Sequence, residues 1–97
     1  MSLIHYENDF DSLISNKAVV DFYATWCGPC KMFGPIFEEL SSDYDFNFIK
    51  VDVDKNSDIA RKYGVMSIPT IILFENGVEK KKIIGFMSKD DFIEFLK

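Results

Sequence analysis

Residues Ala18-Val19-Val20-Asp21-Phe22-Tyr23 are apolar at both odd and even positions, with a single exception at Asp21. A strand with one face in water alternates between apolar and polar residues. A run like this one is therefore covered on both faces, as a central strand between two layers of helices is. Two similar runs follow, Phe46 to Val53 and Thr70-Ile71-Ile72-Leu73-Phe74. Between the runs the apolar residues change to helical spacing. Phe33, Ile36, Phe37, Leu40 and Tyr44 form one stripe, interrupted by Gly34-Pro35. Ile59, Ala60 and Tyr63 form another, with Asn56 or Ser57 as its N-cap and Gly64 as a left-handed C-terminal cap. Upstream, Leu3 to Tyr6 is a short strand, and Phe10, Leu13 and Ile14 face inward from a short helix capped by Asn8 or Asp9.

The end of the chain is equally regular. Asn76-Gly77 predicts a tight hairpin, so a strand from about Glu79 to Gly85 runs antiparallel to its predecessor. Lys80-Lys81-Lys82 suits an outer edge that resists pairing with other chains. Ser88-Lys89-Asp90-Asp91 has the form of a capping box and opens a last helix carrying Phe92, Ile93, Phe95 and Leu96. The order is strand, helix, strand, helix, strand, helix, hairpin, helix. That predicts an α/β fold with a central mixed five-stranded sheet flanked by helices on both faces. Right-handed crossovers make its first three strands parallel. At 97 residues, 47% of them hydrophobic and ten of them Phe, the chain reads as one domain, 1–97, on a single core.

Charge and targeting signals narrow the function. A net charge of −5 argues against affinity for nucleic-acid backbones or anionic lipid. No run approaches the roughly 18 apolar residues of a membrane span. The N-terminal stretch Met1-Ser2-Leu3-Ile4-His5-Tyr6 has neither a basic region nor a long apolar one, so the expectation is a soluble cytoplasmic protein. Thiols are kept reduced there, and both cysteines lie in Trp26-Cys27-Gly28-Pro29-Cys30, where the first central strand passes into a helix.

A Cys-x-x-Cys pair can be a redox dithiol, half of a zinc site or a small staple. Zinc takes four ligands, and beyond Cys27 and Cys30 the only nitrogen ligand in the chain is His5. A staple over so short a loop gains only about 2 kcal/mol of chain entropy. Redox chemistry fits the position better, because free N–H groups at a helix N-terminus stabilise a thiolate. In that reading Cys27 is the exposed nucleophile and Cys30, one turn inside and more buried, resolves the mixed disulfide. Pro29 limits how the turn opens. Asp21, the exception in the central strand, is a costly buried carboxylate unless its pKa rises or it is paired. Placed near Cys30, it can accept that thiol's proton. Lys50, enclosed in Phe48-Ile49-Lys50-Val51 on a neighbouring strand, either shares this pocket or reaches out to water.

With these residues assembled, the whole chain from Leu3 to Leu96 resembles the thioredoxin family. The resemblance rests on Val20-Asp21-Phe22, Trp26-Cys27-Gly28-Pro29-Cys30-Lys31, Pro35, Lys50-Val51-Asp52, Tyr63-Gly64-Val65, Ser67-Ile68-Pro69-Thr70, Phe74-x-Asn76-Gly77 and Gly85. It implies the thioredoxin fold, with Pro69 in cis facing the dithiol, a kink at Pro35, and the backbone of Ile68 pairing with bound substrate. The implied docking surface is Trp26, Gly28, Pro29, Ile68, Ile84 and Gly85. Tyr23 stands where many members have Trp, and Phe86 where a smaller residue is common.

The implied activity is reduction of client disulfides through a mixed disulfide, in a monomer with no cofactor beyond its own Cys27–Cys30 disulfide. NADPH and FAD would belong to a partner, thioredoxin reductase. Implied clients are peroxiredoxins, methionine sulfoxide reductase and ribonucleotide reductase. Two other readings remain open, an oxidase or isomerase of the same fold and a non-enzymatic module that docks partners through the apolar patch.

Overall fold

A computed structural model describes residues 2–97. Its elements run β1 (Leu3–His5), α1 (Phe10–Leu13), β2 (Ala18–Tyr23), α2 (Gly28–Ser41), β3 (Asn47–Asp52), α3 (Ser57–Lys62), β4 (Thr70–Glu75), β5 (Val78–Ile84) and α4 (Lys89–Phe95). The strands form one sheet in the order β1-β3-β2-β4-β5. β1, β3 and β2 are parallel, as the crossovers require, while β4 is antiparallel to β2 and β5 to β4. The doubly apolar run β2 is the middle strand.

Each sheet face carries its own core. On one, α2 and α4 pack Phe33, Phe37 and Phe92 against Phe48, with ring centroids of 5.0–6.1 Å between neighbouring rings. On the other, Phe10 meets Tyr6, Phe22, Tyr63 and Phe74 at 5.4–6.4 Å. Side chains alternate across a strand, so Val19, Asp21 and Tyr23 share the α2 face and Val20 and Phe22 the other.

The hairpin forms as expected. Asn76 and Gly77 both have positive φ, 54° and 80°, which is the demand of a two-residue turn matched to strand twist. The turn is tied down by Gly77 N–H donating to the Ile14 carbonyl at 2.9 Å. β5 lies at the sheet edge, and its lysines do more than repel other chains. Lys81 Nζ donates to the Phe95 carbonyl at 3.2 Å and Lys82 Nζ to the Tyr63 carbonyl at 2.9 Å, so the two cations satisfy the C-terminal ends of α4 and α3.

The interruption at Gly34-Pro35 lies within one helix, as read, since α2 continues through both residues to Ser41. Pro35 removes one N–H but the helix is held by its buried face. Tyr44 is not on the helix, because Ser41 and Ser42 turn their hydroxyls onto the Glu38 and Glu39 carbonyls and α2 ends there. Tyr44 stacks on Phe48 instead, 5.7 Å between centroids. Asp9 does precede α1, but in a left-handed conformation (φ 64°) with no side-chain cap. Ser88 caps α4 as predicted, accepting the Asp91 N–H at 3.2 Å.

Candidate active site

β2 ends at Tyr23, and four residues later Cys27 is the N-cap of α2, with Pro29 in the helix's first turn. Proline is well suited to that position, where its missing N–H has no helical partner to lose. Cys27 and Cys30 are joined in a disulfide, their Cα atoms 5.2 Å apart. Cys27 Sγ accepts the Cys30 backbone N–H at 3.2 Å. Once the pair is reduced, that N–H and the positive end of the helix favour a thiolate on Cys27.

The two sulfurs do not differ in exposure as expected. Cys27 is 6% accessible and Cys30 5%. The turn before β4 accounts for this, since Ile68 packs on the pair and its carbonyl oxygen lies 3.8 Å from Cys27 Sγ. What separates the cysteines is the direction each faces. Cys27 lies between Trp26 and Gly28-Pro29, all three exposed, and opposite Ile68. Cys30 lines a cavity of about 310 Å³ with Tyr23, Gly34, Glu38 and Lys50.

Several residues named for the docking surface lie at the protein's surface beside the turn that precedes β4. The Ile68–Pro69 peptide bond is cis, and Pro69 is buried while Ile68 is half-buried. Gly85, at φ 103°, donates its N–H to the Pro69 carbonyl at 2.8 Å. That bond ties the end of β5 to the cis turn and carries Ile84, which is 61% exposed, to the surface. Trp26 is 68% exposed and is oriented by its indole N–H donating to Asp54 Oδ2 at 2.8 Å. Met66, 95% exposed and two residues before Ile68, was not foreseen. It lies in a loop, where no periodicity marks it.

Asp21 is fully buried, and neither carboxyl oxygen has a hydrogen-bond partner. Burial pushes its pKa up to about 7 and the nearby Glu38 adds to this, while Lys50 opposes them. Lys50 is the cross-strand neighbour of Asp21. It nevertheless pairs with Glu38, Nζ 2.9 Å from Oε2, and its ammonium stands 4.8 Å above the Tyr23 ring. Both earlier readings of Lys50 are thus partly met: its side chain lines the pocket, 10% exposed, and its charge points to the mouth. Glu38 was missed, although Cys30, Gly34 and Glu38 recur every fourth residue and so stack on one helix face.

Residues 2–97 match the sequence model of the family described as Thioredoxin. The chain belongs to the thioredoxin family. It is 52% identical to a thioredoxin of Staphylococcus epidermidis over 93 residues, covering 93% of this chain and 89% of that one. A Mycoplasmoides gallisepticum thioredoxin is 49% identical over the full length of both. Among solved structures, a mutant thioredoxin from Halobacterium salinarum superposes with a TM-score of 0.91 at 33% identity, covering 97% of this chain and 87% of that one. A Schistosoma mansoni thioredoxin gives 0.86 at 44% identity, covering 97% and 92%. With the family's cysteine pair intact, the protein is a protein-disulfide reductase, exchanging dithiol for disulfide with client proteins and served by a reductase partner.

Proposed function

We propose that Cys27 is the attacking thiol and Cys30 the resolving one, with Asp21 as the base between the two steps. The hydrogen bond from the Cys30 N–H to Cys27 Sγ carries this assignment, because it favours negative charge on one sulfur only. The Cys27 thiolate attacks one sulfur of a client disulfide, forming a mixed disulfide and expelling the client's other sulfur as a thiolate. Cys30 then loses its proton toward Asp21. Its sulfur attacks Cys27 Sγ, and the remaining client sulfur leaves. Two electrons have passed to the client, and the Cys27–Cys30 disulfide is restored. A base titrating near 7 is matched to this transfer at neutral pH.

The apolar surface of Trp26, Gly28, Pro29, Ile68, Pro69, Ile84 and Gly85 receives the client chain, with Ile68 offering its backbone and Phe86, 45% exposed, enlarging the rim. Lys50 moderates the charge of Asp21. No cofactor or metal is held, and the reductase partner is a flavin-dependent thioredoxin reductase drawing on NADPH. Peroxiredoxins, methionine sulfoxide reductase and ribonucleotide reductase are the proposed clients of a cytoplasmic monomer. No helix among the described residues is long and apolar enough to cross a membrane.

Trapping tests the order of attack. The Cys30→Ser protein should accumulate clients as mixed disulfides that reductant releases, visible on non-reducing gels. Adducts on Cys27→Ser and none on Cys30→Ser would reverse the roles.

A further inference from the structure

Lys50 has two carboxylates beside it, and it is bonded to the one that the reaction scheme does not use. Its ammonium lies 2.9 Å from Glu38 Oε2, while both oxygens of Asp21, its neighbour across the β2–β3 pair, are buried without a partner. Two further features flank the ammonium at the mouth of the cavity. The Tyr23 ring lies beneath it at 4.8 Å, and Gly34 lies alongside, where an added Cβ would be in ordinary contact with Nζ at 3.4 Å.

We propose that Glu38 is a positioning residue for the dithiol's proton transfer: it holds the Lys50 ammonium at the cavity mouth, away from Asp21, so that the buried carboxylate stays free to take the Cys30 proton. The inference rests on the reading of Asp21 as the base. An ammonium drawn against Asp21 would stabilise its ionised form and weaken it as a proton acceptor. Few other groups compete. β3 presents Lys50 to Asp21, and α2 presents Cys30, Lys31 and Glu38 around the cavity. Tyr23 is on the same strand and face. β4 places apolar Ile71 opposite, and α4 adds the apolar Phe92 and Phe95 to this side of the sheet. Lys50 and Glu38 are thus the charged groups that act on buried Asp21, and Glu38 also sets where Lys50 stands.

The test is a carboxyl-carbon NMR titration of Asp21 in the reduced full-length protein, with Asp21→Asn identifying the resonance. In Glu38→Gln and in Glu38→Ala, which also removes the accepting oxygen, the Asp21 midpoint should move down by about one pH unit. The acidic limb of the client-reduction profile should move with it. Both substitutions are at a half-exposed helix position, and neither disturbs the core. In a Lys50→Met background the same substitutions should move the midpoint down by clearly less, because only the direct repulsion between Glu38 and Asp21 is then lost. A midpoint that is unmoved or rises in both Glu38 variants overturns the proposal, as does a full downward shift without Lys50. If the midpoint falls as expected but Asp21→Asn keeps the parent pH profile, the base assignment fails while the hold of Glu38 over Asp21 through Lys50 stands.

Discussion

At Asp21 a carboxyl group is enclosed at 0% exposure, and burial, reinforced by Glu38 and opposed by Lys50, lifts its pKa from 3.8 to about 7. The folded chain therefore keeps a proton that the unfolded chain has lost, across the window from about pH 4 to about pH 7. Stability falls as pH rises through that window and levels off above it, by about 4 kcal/mol in all. Asp21→Asn removes this slope, so its stability relative to the parent should climb between those limits in urea titrations. Parallel curves would contradict the raised pKa. The same variant should turn over clients more slowly near neutral pH. Asp21 was legible in the sequence because a lone charge in a doubly apolar strand has few explanations. The near-equal burial of the two cysteines was not, since it is imposed by Ile68, 41 residues from Cys27 in the chain.

The elements follow from local chemistry where that chemistry is strong. Ser88 caps α4, a helix of seven residues that has few other means of starting. Ser88→Ala should cost about 1 kcal/mol and lower Tm by about 4–8 °C, measurable by calorimetry. A change within error would mean that packing of Phe92 and Phe95 alone sets the start of the helix. The strands were readable because burial on both faces leaves no other use for runs such as Thr70 to Phe74. Pro35 sits inside a helix that continues through it. Its local penalty is outweighed by the apolar face that α2 buries through Phe33, Phe37 and Leu40, and propensity alone does not weigh that burial. The Lys50–Glu38 bridge lies between these cases, since the helix spacing was visible but the meeting of α2 with β3 was not.

Across the whole molecule, one ring joins the layers on the α2 face. Phe92 is fully buried and contacts Phe33, Phe37, Phe48 and Phe95, so it links both helices to the sheet. Phe92→Ala should cost about 3–5 kcal/mol, a large share of the roughly 5–15 kcal/mol that holds a domain together. Chemical denaturation would measure it, and a loss below about 1 kcal/mol would mean that the site collapses around the vacancy. Below its lowered melting temperature the variant should still reduce clients, because the cysteines are mounted at the start of α2, just past the end of β2, ahead of the residues on which Phe92 packs.

That mounting has a mechanical consequence. β2 is bonded along one side to β3 and along the other to β4. Fraying from either sheet edge must strip away a neighbour before it reaches β2, so its backbone opens only with the molecule as a whole. During a mixed disulfide the client is tethered to this anchorage by one covalent bond. A client that tumbles, unfolds or pulls away loads the best-secured strand of the protein, and the geometry that Cys30 needs for its attack outlasts the disturbance.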